Sequence, residues 1–334
     1  MEELDFKRLG CAPRERRLFD EACLNLPPEG GPYELGRVVQ LDRSLPLICT
    51  ECDIVRAEHA TKVVKKSGVR AGVGDWVVIA RPLQHDTAII AAVLERRSSF
   101  ERRDPSSKRA AHQVLAANID VVFIVAALSG EGIDLDHLER ELVVAHGSGA
   151  RVVVVLSKAD IARSRAADIE SVRGSVGDVD LIVESAIAGE GIECVRSLIP
   201  FGSTGVLLGK SGVGKSTLVN ALAGEPVQMT GSVRESDDEG RHTTINRSII
   251  AVPGGGLIID MPGLRSFSLA DARDAIAATF EDVESVAREC RFRDCTHDRE
   301  PGCAVRAAVA EGALDARRVM NYRALVAESA GARF

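Results

Sequence analysis

The sequence has few aromatic residues and no long apolar run. Aromatic residues make up 4% of the 334 residues, with a single tryptophan. No apolar stretch reaches the length of about 18 residues that a transmembrane helix needs. The N-terminus is charged from its second residue and lacks the apolar segment of a secretory signal peptide. We therefore expect a cytoplasmic protein that does not associate with membranes.

A strong excess of charge of one sign is also missing. The net charge of −7 argues against a general nucleic-acid coat. Residues 1–110 contain 19 Lys and Arg against 17 Asp and Glu, whereas residues 111–334 contain 23 against 32. Any RNA contact is therefore expected in the first third of the chain. The length favours two or three domains, and an apolar content of 45% is enough for buried cores.

Three sequence patterns follow one another along the chain. Residues 36–98 hold short β-rich segments between turn residues, which predicts a small barrel with the OB-fold as one candidate. Residues 99–267 alternate apolar strands with helical segments, as α/β domains with mostly parallel sheets do. Residues 268–334 are rich in Ala, Arg and Glu and are predicted to be helical. Residues 1–35 resemble a loosely held extension, because proline and glycine cluster near their end.

A basic connector joins the barrel to the α/β region. It contains Arg96, Arg97, Arg102, Arg103, Lys108 and Arg109. Two interpretations stay open for it: a solvated linker, or a segment that contacts phosphate beside the barrel.

A phosphate-binding loop is predicted directly after the apolar run that ends at Leu208. The sequence GKSGVGKS fits the pattern GxxxxGK[ST], whose glycines let backbone N–H groups face phosphates. Lys215 supplies positive charge to the β- and γ-phosphates, and the Ser216 hydroxyl is a ligand for Mg²⁺. The nucleotide-binding residues expected here are Gly209, Lys210, Ser211, Gly212, Val213, Gly214, Lys215, Ser216 and Thr217. The loop indicates a nucleoside triphosphate but does not select its base.

Two further motifs point to guanine. Residues 157–160 read SKAD, which resembles the [NT]KxD motif of GTPases, with Ser157 in the place of the usual Asn. The Asp160 carboxylate can accept hydrogen bonds from guanine N1–H and the exocyclic amine, which adenine does not offer. Lys158 is expected along the purine ring. Ser185 and Ala186 resemble the element whose backbone N–H meets guanine O6.

The remaining GTPase motifs occur in an unusual order. Asp260 opens a DxxG motif in which it would hold a Mg²⁺-bound water, while the Gly263 N–H would contact the γ-phosphate. Thr244, in the segment 240–244, is expected to close over Mg²⁺ as part of a first switch. In ordinary GTPases the phosphate loop precedes the base-reading motif, but here Asp160 precedes Gly209. This is the order of circularly permuted GTPases.

A metal site is predicted near the C-terminus. The pattern C-x4-C-x-H-x5-C supplies four ligands, Cys290, Cys295, His297 and Cys303. Three thiolates and one imidazole suit one tetrahedral Zn²⁺ per chain, and a closed set of four indicates a structural ion. Cys49 and Cys52 do not complete a site, and we interpret them as buried or incidental thiols.

Taken together, these motifs resemble the ribosome small-subunit-dependent GTPase A family, RsgA, also called YjeQ. The resemblance covers about residue 36 to the C-terminus and includes Gly-Asp-Trp-Val at 74–77 and Gly-Arg-His-Thr-Thr at 240–244. It implies a factor in late maturation of the 30S subunit, with the OB-fold on rRNA and ribosome-stimulated hydrolysis of GTP to GDP. It also implies that His242 aids hydrolysis. Leu264 stands where Ras-like GTPases have Gln, and it cannot orient water.

The partners implied are the 30S subunit with its rRNA and GTP or GDP, bound by a monomer. Two other functions remain: a P-loop ATPase in another pathway, and a zinc-dependent RNA-binding module with a vestigial nucleotide site. An ATPase would have no use for Asp160 and Ser185. A vestigial site would not retain Lys215, Ser216, Asp260 and Thr244 together.

Overall fold

The computed structural model describes most of the chain. The described ranges are residues 6–27, 32–42, 45–60, 70–82, 87–103, 112–128, 132–228, 247–261, 269 and 272–331. The predicted catalytic His242, Thr244 of the first switch, Gly263 and Leu264 lie outside these ranges. Within them, no helix is both long and apolar enough to cross a membrane.

Five strands form a closed barrel near the N-terminus. They are β1 (Tyr33–Asp42), β2 (Leu45–Thr50), β3 (Ile54–His59), β4 (Trp76–Ala80) and β5 (Ala88–Val93). Their order is β1-β2-β3-β5-β4, and β4 pairs with β1 again to close the barrel. Strands β3 and β5 are parallel, and the other pairs are antiparallel. This arrangement confirms the predicted OB-fold.

The residues before the barrel are not a loose extension. Helix α1 (Pro13–Leu24) begins after Ala12, whose N–H donates to the Glu15 carboxylate at 3.1 Å. Leu9 is fully buried, and the Phe6 ring meets Trp76 edge-on at 5.6 Å between centroids. The expectation for this segment was wrong over residues 6–27, because apolar side chains anchor it to the barrel.

The first part of the basic connector lies in strand β6 (Ser99–Arg103), which pairs antiparallel with β7 (His112–Ala117). Before it, Arg96 pairs with the buried Asp75 at 2.7 Å, and Arg97 pairs with Asp120 at 2.8 Å. Neither the linker nor the phosphate-contact interpretation therefore fits these two arginines, since acidic partners within the protein already bind them. Lys108 and Arg109 lie outside the described residues.

The central domain is an α/β sheet covered on both faces. Its strands are β8 (Val121–Ala127), β9 (Arg151–Ser157), β10 (Asp180–Val183), β11 (Thr204–Leu208), β12 (Arg247–Ala251) and β13 (Leu257–Ile259), in the order β10-β9-β8-β11-β13-β12. All neighbours pair in parallel except β12 with β13. Its helices are α2 (Leu135–His146), α3 (Arg165–Val176), α4 (Ile192–Ser197) and α5 (Lys215–Ala223). Successive residues of β8, such as Val122 and Phe123, pack into different cores, which explains the continuous apolar runs.

The barrel and the central sheet are joined edge to edge. Strand β1 pairs with β12 at two positions, Gln40 with Ser248 and Leu41 with Arg247. At the junction the fully buried Arg37 guanidinium donates to the carbonyl oxygens of Leu9, Gly74 and Asn118 and to the Thr204 hydroxyl. One side chain thus links four segments that are distant in the sequence.

The C-terminal part is helical and packs on the central domain. Its helices are α6 (Arg273–Thr279), α7 (Glu281–Ala287), α8 (Ala304–Ala310) and α9 (Ala316–Ser329). They enclose a core that includes Phe280, Val305 and Leu325, and Val143 of α2 joins it. This part therefore docks against the helix that follows β8.

Candidate nucleotide site and metal centre

The predicted phosphate loop connects β11 to α5. Gly209, Gly212 and Gly214 have φ angles of 138°, 79° and 103°, which favour glycine over any residue with a Cβ. A Cβ at Gly209 would lie 2.4 Å from the Val125 carbonyl oxygen. The loop conformation therefore requires this glycine for both its torsion angle and the close approach of β8.

The Lys215 ammonium folds back over the loop. Its Nζ donates to the carbonyl oxygens of Gly209 and Lys210, each at 2.6 Å. Ser211 and Gly212 are exposed at the tip, while Ser216 and Thr217 are half-buried in the first turn of α5. The loop thus has an exposed tip beside a lysine ammonium and a helix N-terminus. This combination is typical of a site that binds anions.

The SKAD motif follows β9 and approaches both the phosphate loop and the next strand end. The Ser157 hydroxyl donates to the Val213 carbonyl oxygen at 2.5 Å. Lys158 is left-handed, with a φ of 60°, and a short 3₁₀ turn over Ala159–Ile161 follows it. The Asp160 Oδ1 accepts a hydrogen bond of 2.7 Å from the Ser185 hydroxyl. The two motifs that sequence reasoning assigned to guanine are therefore in contact, although 25 residues separate Asp160 from Ser185.

Hydrogen bonds at both ends hold the loop that carries Ala186. Ser185 and Glu190 exchange two backbone hydrogen bonds, of 3.0 and 3.1 Å. The Ser185 hydroxyl also accepts from the Ala188 N–H at 3.1 Å, and Ser185 is fully buried. Ala186, between these anchors, is half-buried.

Asp260 directly follows β13, at the same sheet edge as the phosphate loop, because β13 is parallel to its neighbour β11. Its N–H donates to the Ser248 carbonyl oxygen at 3.1 Å. Asp260 is half-buried. The structure thus brings four separated predicted segments to one edge: 157–160, 185–186, 209–217 and Asp260.

Sequence reasoning missed two charged residues at this edge. Asp134 caps the N-terminus of α2 and pairs with Lys210 of the phosphate loop at 2.6 Å, and this hydrogen bond lowers the pKa of Asp134. Glu184 precedes Ser185 and is buried, and its Oε2 has no hydrogen-bond partner. The sequence signal for both is weak: an acidic residue before a helix and an acidic residue after an apolar strand.

The predicted metal ligands come together between α7 and α8. The donor atoms of Cys290, Cys295, His297 and Cys303 lie within 4.8 Å of one another. Two thiol sulfurs, those of Cys290 and Cys303, are 3.9 Å apart, and His297 Nδ1 lies 3.6 and 3.5 Å from them. Sulfur ligands about 2.3 Å from a tetrahedral zinc would be about 3.8 Å apart, so the geometry fits such an ion.

The backbone also prepares this cluster for a metal. His297 adopts a left-handed φ of 60°, and the Cys303 sulfur accepts from the Arg306 N–H at the start of α8. Burial raises the pKa of the Cys290 thiol, but hydrogen bonds from the Val305 and Ala304 N–H groups and from the neighbouring thiols lower it overall. Burial raises the pKa of the Cys295 thiol to about 11. The lowered pKa of Cys290 favours the thiolate form that binds metals.

Comparison with known proteins agrees with this arrangement. The model of the family "RsgA GTPase" matches residues 93–270. A protein of Streptomyces avermitilis named small ribosomal subunit biogenesis GTPase RsgA is 40% identical, over 90% of this chain and 82% of its own. Its namesake from Opitutus terrae is 45% identical, over 83% of this chain and 78% of its own.

Solved structures show the same fold. YjeQ from Thermotoga maritima superposes with a TM-score of 0.67 at 23% identity, covering 90% of this chain and all of its own. YloQ, described as a circularly permuted GTPase, superposes with a TM-score of 0.63 at 19% identity, covering 92% of this chain and 99% of its own. The family match and the motif order, with the P-loop after the base-reading motif, lead to one conclusion. The chain belongs to the RsgA GTPase family and is a circularly permuted GTPase.

Proposed function

We propose that this chain hydrolyses GTP to GDP during late maturation of the small ribosomal subunit, and that the 30S subunit stimulates hydrolysis. One observation carries the assignment of the base: the 2.7 Å hydrogen bond from Ser185 to Asp160, beside the phosphate loop. This bond orients the Asp160 carboxylate, which then accepts from guanine N1–H and the exocyclic amine. The names of the relatives support the assignment to the small subunit.

Each nucleotide-binding segment has a distinct proposed role. Lys158 lies along the purine, the Ala186 N–H meets guanine O6, and Ser157 holds the base-reading turn against the phosphate loop. Residues 209–217 bind the phosphates, with Lys215 as their counter-charge. Gly263 contacts the γ-phosphate.

Magnesium accompanies GTP in this proposal. Ser216 and Thr244 would hold the ion, and Asp260 would bind it through a water. The ion would supply charge neutralisation at the phosphates. His242 is the catalytic residue: its neutral imidazole accepts a hydrogen bond from the attacking water and orients it.

The proposed division of the chain follows these roles. Residues 36–98 bind rRNA through the barrel, residues 99–267 form the GTPase domain, and residues 268–334 form a helical domain around one structural Zn²⁺. Residues 1–35 are an N-terminal extension. We propose a monomer in the cytoplasm, with the barrel and the zinc domain making the ribosomal contacts.

One experiment tests the function directly: GTP turnover measured with and without purified 30S subunits. We expect slow turnover alone and faster turnover with 30S subunits, and competition by GDP but not by ADP. ADP competing as well as GDP would support the ATPase alternative instead. Turnover that 30S subunits leave unchanged would contradict the ribosomal part of the proposal.

A further inference from the structure

Lys210 occupies a position of the phosphate loop whose residue type the pattern GxxxxGK[ST] does not specify. A lysine at this position has two possible uses. Its ammonium can face the phosphates as a second counter-charge, or it can bind another part of the protein. The structure favours the second use, because the Lys210 Nζ lies 2.6 Å from the Asp134 Oδ2.

Both oxygens of the Asp134 carboxylate are engaged. Oδ1 accepts a hydrogen bond of 3.1 Å from the His137 N–H and so caps α2, while Oδ2 accepts from Lys210. The carboxylate therefore holds the N-terminus of a helix and the phosphate loop at the same time. Because the cap fixes the carboxylate, it also fixes the position of Lys210 relative to α2.

Helix α2 is a firm support for this contact. Farther along the helix, the buried Glu139 pairs with Arg317 of α9 at 2.8 Å. Arg140 donates to Glu328, also of α9, at 2.7 Å. Val143 lies in the core of the C-terminal helices. A shift of α2 would break these contacts, so the point to which the loop is attached is held in place.

The ion pair crosses a gap between α2 and the phosphate loop. A cavity of about 430 Å³ lies there, and Leu138 and Val213 are among the residues that line it. Packing across the gap is therefore incomplete, and an ion pair that spans it limits how far the loop can move. The side chains of Lys210 and Asp134 are 46% and 55% exposed, so the stabilisation from the pair is modest.

The segment that Asp134 holds also carries the acceptors of the Lys215 ammonium. The Lys215 Nζ donates to the carbonyl oxygens of Gly209 and Lys210, each at 2.6 Å. Fixing the side chain of Lys210 therefore also restricts where Lys215 finds its acceptor. A loop that is ordered before the nucleotide arrives loses less conformational entropy on binding, which raises the affinity.

We propose that Asp134 is a positioning residue of the phosphate loop, acting through Lys210, whose ammonium anchors the loop to α2 instead of neutralising the phosphates. The inference rests on the proposed role of residues 209–217 in binding phosphates. It differs from a purely electrostatic role in the sign of one effect. Removing a negative charge near bound phosphates would by itself strengthen binding, whereas loss of the anchor weakens it.

The test is the GDP dissociation constant of wild type, Asp134→Asn, Lys210→Met and the double variant. Asparagine keeps the cap of α2 but removes the charge. We expect each single change to raise the constant about twofold to fivefold, as for other half-exposed ion pairs. The double variant should bind no more weakly than either single variant, because both changes remove the same contact.

Asp180→Asn is the matched control. Asp180 pairs with Arg151 at 2.5 Å, and its side chain is 55% exposed, as is that of Asp134. The two residues begin the parallel strands β10 and β9, at the sheet edge opposite the phosphate loop. This variant loses an equivalent ion pair and should bind GDP as wild type does.

The free energy of unfolding in urea separates loop positioning from helix stability. We expect wild-type stability in Asp134→Asn, because the cap persists, and Lys210→Met leaves the cap intact in any case. Wild-type or tighter GDP binding by either single variant would overturn this inference alone, since GDP would still bind. Additive effects in the double variant would also overturn it, because the two side chains would then act independently. Failure of wild type to bind GDP would overturn the guanine assignment and this inference with it.

Discussion

The Ser157 hydroxyl donates to the Val213 carbonyl oxygen and so connects the proposed base-reading turn to the proposed phosphate loop. The same hydroxyl lies 3.3 Å from the Ala126 carbonyl oxygen at the end of β8. The residue that departs from the usual Asn of the motif therefore still joins two loops of the proposed nucleotide site.

Removing this hydroxyl should weaken nucleotide binding. We expect Ser157→Ala to raise the GDP dissociation constant about fivefold to tenfold, since a buried hydrogen bond contributes about 1 kcal/mol. Fluorescence titration with labelled GDP measures it. Ser157→Asn is the matched variant and should bind at least as tightly as wild type. Equal affinities for Ser157→Ala and wild type would contradict a role for this bond.

Replacing the Asp160 carboxylate should change which nucleotide base the protein prefers. We expect Asp160→Asn to weaken GDP binding by about tenfold to a hundredfold, because a charge-assisted hydrogen bond contributes about 1.5–3 kcal/mol. It should favour xanthosine diphosphate, whose base offers the complementary hydrogen-bonding groups. Glu170→Gln, an exposed change on α3, serves as the control. Unchanged GDP affinity in Asp160→Asn would refute the proposed contact.

His242 should control turnover but not binding. We expect His242→Ala to lose most of the stimulation by 30S subunits while its GDP affinity stays near that of wild type, because Leu264 cannot replace the imidazole in orienting water. Single-turnover GTP hydrolysis on purified subunits measures this. Glu170→Gln, the exposed change on α3, is the control here too. Wild-type rates in His242→Ala would exclude the catalytic role.

Zinc should stabilise the C-terminal helices. Cys303→Ser is expected to lose the metal, because three ligands bind a structural ion weakly, and to expose residues 272–331 to protease. Elemental analysis and limited proteolysis measure the two effects, and GDP binding should persist. Cys194→Ser changes an exposed thiol and should retain one zinc per chain. Equal zinc content in Cys303→Ser would show that the four residues are not the ligands.

The docking of the C-terminal helices should depend on Arg318. Its guanidinium pairs with Asp282 at 2.8 Å and with the buried Glu139 of α2 at 3.0 Å, and it donates to the Ser175 carbonyl oxygen at 2.7 Å. Breaking a buried pair costs about 3–5 kcal/mol.

Arg318→Met should therefore lower the free energy of unfolding in urea by about that amount and separate the two domains in limited proteolysis. Arg288→Met, at an exposed position after α7, should leave both measurements unchanged. A stable, protease-resistant Arg318→Met would mean that the remaining contacts, which include apolar packing and the Arg317–Glu139 pair at 2.8 Å, are enough to hold the domains together.

The sequence alone was sufficient to predict the phosphate loop, the cluster of three cysteines and one histidine, and the permuted order, because each of the motifs involved is a short local pattern. Apolar runs also predicted the α/β architecture of residues 99–267, and the run that ends at Leu208 is the end of β11 (Thr204–Leu208). A strand buried on both faces leaves a continuous local pattern, which needs no knowledge of its neighbours.

Only the tertiary structure decided which charged residues are buried and what they contact. Arg96 appeared to be a linker cation but pairs with a buried carboxylate 21 residues earlier, and Arg37 appeared ordinary but is fully buried. Residues 6–27 were expected to be loosely held, but the Phe6 ring packs against Trp76 of the barrel. The burial of Glu184 depends on β9, the 3₁₀ turn and its own loop meeting in space. Burial and electrostatic environment are sums over such distant contacts, so a local pattern does not contain them.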